Sequence, residues 1–164
     1  MVPLARGGGQ ELGRRAGTEN VVGLAGFGAA ADAALRDLNA GVWDAVSGLR
    51  IILETAIEAA SPSTILVGKG CARLPNTTCL IAPGWRGETQ VMAMDLGGFA
   101  VSAGSACSSG KVRPSRVLRA MGFSEVEAAS AIRVSLGPAT TQDEVERFAA
   151  AWIAAERKYR ARAA

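Results

Sequence analysis

Apolar residues recur at helical spacing over residues 20–38 and again over 42–60, where Val42, Val46, Leu49, Leu53 and Ala56 share one face. These periods predict two long helices, the first capped by Thr18 or Asn20 and the second stopped at Ser61-Pro62-Ser63. The pattern then shortens. Residues 64–67 and 77–82 are brief β-branched or apolar runs bounded by glycine, proline and asparagine, which predicts strands; 99–102 and 131–136 add a third and a fourth. A short helix is expected over 88–96, ended by Gly97-Gly98. Pro114 fits the first turn of another, which carries Val117, Leu118 and Met121 and closes at Gly122. Ser124 with Glu127, and Thr141 with Glu144, are capping-box pairs, in which hydroxyl and carboxylate each satisfy the other's backbone N–H. They open a short helix before the fourth strand and a final amphipathic helix with Val145, Phe148, Ala149, Trp152 and Ile153 on its apolar face. Strands and helices interleaved in this way imply an α/β fold, with helices packed on a small mixed β-sheet.

Composition narrows the function classes. The chain has 164 residues, 49% hydrophobic and 20% charged. A domain of that size removes about 70% of its unfolded surface from water and needs no disulfide staples. Asp32, Arg36, Asp37, Asp44 and Arg50 interrupt the alanine-rich region, so no run reaches the ~20 apolar residues of a membrane span. No basic segment followed by an apolar one opens the chain as a secretory leader would. A soluble cytoplasmic protein without membrane contact is expected. Eighteen basic and fifteen acidic residues give a net charge of +3 spread along the chain, which offers nucleic acid no concentrated patch. Histidine is absent, which removes Ser-His-Asp and Cys-His hydrolysis and HExxH zinc chemistry.

The three cysteines match neither a CxxC pair nor a disulfide framework, and no metal site is expected of them. Cys71 follows Gly68-Lys69-Gly70, and Cys79 lies inside an apolar strand run, where a thiol acts as a small hydrophobe. Cys107 differs. It stands among residues too small and polar to bury it, in Gly-Ser-Ala-Cys-Ser-Ser-Gly (104–110), with Lys111, Arg113 and Arg116 close behind; cationic neighbours and exposure raise a thiol's thiolate fraction. That segment is not a phosphate loop, because five residues rather than four separate its glycines and Val112 follows the lysine. Arg133, inside Ala-Ile-Arg-Val-Ser-Leu, needs an anionic partner: either a bound carboxylate or an internal Glu or Asp. Residues 7–19 carry too much glycine for a regular helix, and Arg14-Arg15-Ala16-Gly17-Thr18 could bind an anion near a helix start.

Six stretches in order carry a resemblance. They are Gly-Gly-Gly-Gln-Glu (7–11), Arg-Arg-Ala-Gly-Thr-Glu-Asn (14–20), Leu-Pro-Asn-Thr-Thr (74–78), Ser-Ala-Gly-Ser-Ala-Cys-Ser-Ser-Gly (102–110), Pro-Ser-Arg-Val-Leu-Arg-Ala-Met-Gly (114–122) and Ile-Arg-Val-Ser-Leu-Gly (132–137). The chain resembles the cysteine desulfurases of the NifS/IscS type, in the class V aminotransferase group of enzymes that use pyridoxal 5'-phosphate (PLP). The resemblance implies the C-terminal small domain of PLP fold type I with an N-terminal helical arm. It divides the chain into an interface and phosphate arm over 1–20, a helical segment joining large and small domains over 21–60, and the small domain over 61–164 with its persulfide loop at 102–113.

By the same resemblance, L-cysteine becomes L-alanine while Cys107 takes the sulfur as a persulfide for iron–sulfur cluster or thio-cofactor synthesis. Arg133 holds the substrate carboxylate, and Thr18 reaches the PLP phosphate of a neighbouring subunit, which implies a homodimer and a sulfur-acceptor or scaffold protein as partner. The family's Schiff-base lysine lies in its N-terminal part, and Lys69, Lys111 and Lys158 do not match that motif. The expectation is therefore a part of the enzyme that associates with a PLP-domain chain. The alternatives are a non-enzymatic sulfur carrier or an inert truncated remnant.

Overall fold

The computed structural model describes residues 2, 5–104 and 114–163. The chain divides into two compact units, Met1–Ala40 and Gly41–Ala164.

The first unit holds a short turn, α1 (Gln10–Gly13), and a long helix, α2 (Val21–Asn39). The turn is left-handed: φ is 74° at Gly9, 52° at Glu11, 58° at Leu12 and 78° at Gly13. Glycine accepts that hand freely, whereas each L side chain in it costs about 1–2 kcal/mol. Glycine density thus excludes a regular helix here, as expected. The Asn20 side chain caps α2 by accepting from the Gly23 N–H at 3.0 Å, which selects Asn20 over Thr18. No side chain of α2 is buried, and Val22 and Phe27 stand in the open.

The second unit contains α3 (Val42–Ala60), β1 (Ile65–Leu66), β2 (Thr77–Ile81), α4 (Gly87–Leu96), β3 (Ser102–Ala103), α5 (Arg116–Ala120), α6 (Glu125–Ala129), β4 (Ala131–Ser135) and α7 (Gln142–Ala163). The strands form one sheet in the order β1-β2-β4-β3. The α/β class holds, but the sheet is not mixed: all three pairings among the described residues are antiparallel. Hydrophobic alternation reports which face of a strand is buried and is silent on its direction, so the mixed sheet was beyond its reach.

Two smaller expectations also shift. The third strand begins at Ser102 because Phe99 and Val101 turn into the core instead of pairing; Phe99 meets Phe148 edge-on with ring centroids 5.5 Å apart. Pro114 precedes the helix it was expected to begin: Ser115 is the N-cap of α5 and accepts from the Leu118 N–H at 3.3 Å. Both capping boxes form. Glu127 accepts from the Ser124 N–H at 2.7 Å, and Glu144 from the Thr141 N–H at 2.8 Å.

The sheet has two unequal faces. Leu66, Leu80, Ile132 and Val134 point into the main core, against Leu53 and Ile57 of α3, Met94 of α4, and Val145, Phe148 and Trp152 of α7. At its centre the fully buried Gln90 amide donates to Trp85 O at 2.7 Å and Ser130 O at 2.8 Å and accepts from Trp152 Nε1 at 3.2 Å, tying α4 and α7 to the entrance of β4. The opposite face carries a smaller cluster, where Ile81 and Ala131 meet Leu118 of α5 and Ala128 of α6. Those short helices cover only part of it.

Candidate functional site

The part of that second face that no described helix covers is a transverse row of side chains. Arg133 at the middle of β4 is the register partner of Cys79 on β2 and of Ser102 on β3, and Cys79 O accepts from the Val67 N–H at 3.0 Å. Directly opposed residues of an antiparallel pair project to the same side with Cβ atoms about 5 Å apart. Val67, Cys79, Arg133 and Ser102 thus share a floor, and with Ser115 and Leu118 of the α5 segment they line a cavity of about 510 Å³.

The Arg133 guanidinium is exposed, and no carboxylate pairs with it among the described residues. Of its two readings, the internal ion pair therefore finds no support there. Burial pushes the Cys79 thiol above its ordinary pKa, and the Arg133 charge offsets only part of that rise. Sequence reasoning took Cys79 for a structural strand residue. Strand alternation held the missing signal, because 78 and 80 face the core and 79 must face away.

Cys107, with Lys111 and Arg113, falls outside the described residues. The residues on either side of that segment, Gly104 and Pro114, both line the Arg133 cavity, as does Arg116. Cys71 is exposed on the connection between β1 and β2. Lys69 donates to both carboxylate oxygens of Glu58 at 2.5 Å. Thr18 lies in the first unit, exposed, its hydroxyl without a partner among the described residues. The expected anion cradle around it changes in one respect. Arg15 is already engaged, with Glu11 at 3.3 Å, Glu19 at 3.2 Å and Gly17 O at 2.6 Å, so its guanidinium is spent locally. No cluster able to hold a metal ion exists among the described residues.

A buried ion cluster fixes the start of the strand that carries Cys79. Arg73 grips Glu54 of α3 with two hydrogen bonds of 2.6 and 2.7 Å, and Arg50 adds a third at 3.0 Å while its Nε donates to Pro75 O, also at 3.0 Å. Burial raises the Glu54 carboxyl, but the Arg73 hydrogen bonds and both guanidinium charges outweigh it, aided by the Thr78 hydroxyl beside it, and hold the group below its ordinary value. The 73–76 connection is thereby clamped to α3, and β2 enters the sheet in one register.

The aminotransferase class V family model matches residues 6–148, which takes in the arm, the sheet and the Arg133 row. The chain belongs to the aminotransferase class V family. A cysteine desulfurase from Cereibacter sphaeroides is 46% identical to this class V chain over 89% of it and 37% of that enzyme. A NifS-like protein from Rickettsia africae superposes with a TM-score of 0.77 at 34% identity, covering 92% of this chain and 39% of that one. The structure titled "SspA in complex with cysteine" superposes with a TM-score of 0.54 at 29% identity, covering 86% and 37%. The fold is that of the NifS-like proteins of PLP fold type I. This class V chain spans little more than a third of the length of the relatives it matches.

Class V aminotransferases depend in general on PLP, whose covalent anchor is a lysine amine. The described residues do not fit that group as a complete site. The Lys69 amine is held by Glu58, and neither Lys69 nor Lys158 lines the Arg133 cavity. The cavity presents instead the Arg133 guanidinium and the Cys79 thiol.

Proposed function

We propose that this class V aminotransferase chain is the substrate-gripping and sulfur-accepting part of a cysteine desulfurase. The observation that carries the reading is the cavity around Arg133, with both flanks of the Cys107 segment at its edge. Three residues of chain reach at most about 11 Å, so Cys107 lies within that distance of Gly104 at the cavity edge. The planar Arg133 fork suits a carboxylate held by two parallel hydrogen bonds, which fits L-cysteine as substrate. Cysteine bound to the similar SspA is in keeping with this.

With the carboxylate fixed, the Cys107 thiolate attacks the substrate sulfur. The S–S bond of a persulfide forms, the C–S bond breaks, and the carbon takes a proton to leave as L-alanine. In the family PLP supplies the electron sink for that cleavage. No described lysine lines the Arg133 cavity to anchor that group. Thr18 provides a hydroxyl for the PLP phosphate in a homodimer or in association with a PLP-domain chain. A sulfur acceptor or scaffold protein then removes the sulfur for iron–sulfur cluster or thio-cofactor synthesis. No helix among the described residues is long and apolar enough to cross a membrane, and a cytoplasmic setting suits a free thiol.

The test is reconstitution. The chain is mixed with PLP, L-cysteine and a polypeptide covering the remaining length of a class V relative; alanine release and added sulfur on Cys107 are then measured. Cys107→Ser should abolish the persulfide. Arg133→Met should raise KM about tenfold to a hundredfold, the worth of a charge-assisted hydrogen-bonded pair. Equal turnover by Cys107→Ser refutes the reading. The positions of Lys69 and Lys158 favour a second reading, a carrier that receives sulfur ready-made. A carrier would gain one sulfur on Cys107 from a sulfane donor with no PLP present.

A further inference from the structure

The Arg133 row contains a second thiol that the desulfurase reading does not use. Cys79 is the direct cross-strand partner of Arg133, on the same face and in the same cavity, with apolar Val67 and Leu118 on its other side. Arg133, with no carboxylate of its own among the described residues, has its Cβ about one cross-strand spacing from that of Cys79, and its charge acts on the thiol. A small acid seated on that guanidinium holds its next atoms over the sulfur, which replaces a chance encounter by a local concentration.

We infer that Cys79 is a carboxylate-steered thiolation site, taking small disulfides that carry a carboxylate, of which L-cystine is the simplest amino acid example. In the exchange the Cys79 thiolate attacks one sulfur of the disulfide. A new S–S bond forms to Cys79 and the old one breaks. The departing thiolate keeps the electron pair and takes up the proton Cys79 lost, so no separate oxidant is required. The adduct occupies both the guanidinium and the floor of the cavity and so excludes a second carboxylate ligand. An added thiol reverses it. The oxidised form of the amino acid would thus close the site that the reduced form enters. This inference rests on the proposed carboxylate grip of Arg133 and on no property of Cys107.

The experiment uses the whole chain and peptide mass spectrometry, with exposed Cys71 as internal reference. The cations near Cys71 in sequence, Lys69 and Arg73, are already paired with Glu58 and Glu54 and steer little. Cysteinylation by L-cystine is compared with thiolation by cystamine, the same disulfide without its carboxylates. Relative to Cys71, Cys79 should favour cystine over cystamine by about fivefold, the scale of one partly exposed ion pair. Arg133→Gln should remove the preference and Arg133→Lys should keep part of it, each with unchanged circular dichroism and unchanged labelling of Cys71. The same ratio in the wild type and Arg133→Gln overturns the inference, as does a Cys79 that neither disulfide labels. If the Cys79 preference is present while reconstitution never places sulfur on Cys107, the desulfurase reading fails and this one stands. The converse result separates them the other way.

Discussion

Replacing Glu54 by glutamine tests how the 73–76 connection is held to α3, and the structure sets the size of the effect. Glutamine keeps the shape and one acceptor but removes the charge shared by two guanidiniums. The side chains are 5% exposed for Glu54, 11% for Arg50 and 18% for Arg73, so neither arginine recovers full hydration in the folded state. Breaking a buried ion pair by neutralising one partner costs about 3–5 kcal/mol, and the partly wet arginine heads place this case at about 3 kcal/mol. For a unit of this size that lowers Tm by about 10 °C.

The pH dependence has a definite sign. The folded carboxyl titrates below its ordinary value of 4.5, so its contribution is present above that value and is lost as pH falls through the depressed one. Urea unfolding of wild type and Glu54→Gln should differ by the full amount at neutral pH, and the two curves should converge in acid. An Arg73→Met background should shrink the effect of Glu54→Gln markedly, since the two side chains act as one unit. A neutral-pH difference below about 0.5 kcal/mol, or one that persists unchanged in acid, refutes the clamp.

Two further substitutions probe how the core supports the site. Trp152→Ala should cost about 4 kcal/mol in urea unfolding, because it empties a fully buried volume and leaves Gln90 Oε1 without its donor; a loss under about 2 kcal/mol would mean that the core refills. Gly87→Ala should cost about 1–3 kcal/mol, since a Cβ there would meet Ala131 O at 2.6 Å and Ala103 Cβ at 3.1 Å, the first on the strand that carries Arg133 and the second on its neighbour β3. An unchanged Tm would show that the entrance of β4 yields freely.

Local rules were written plainly in the chain. Apolar period placed α3 and α7, the paired hydroxyl and carboxylate residues marked the starts of α6 and α7, and glycine crowding excluded a regular helix before Arg14, because each depends on neighbours within a turn or two. The six ordered motifs likewise led to the class V family. Pairing between distant segments was not legible. Strand direction and the late start of β3 depend on which segments meet in space. Cys79 is the sharpest case. Along the chain it is one thiol in an apolar run, and only the antiparallel register of β2 with β4, more than fifty residues apart, sets it beside Arg133 over a cavity. A side chain's intrinsic chemistry travels with its sequence, but the field and the partners that direct that chemistry come from tertiary contacts.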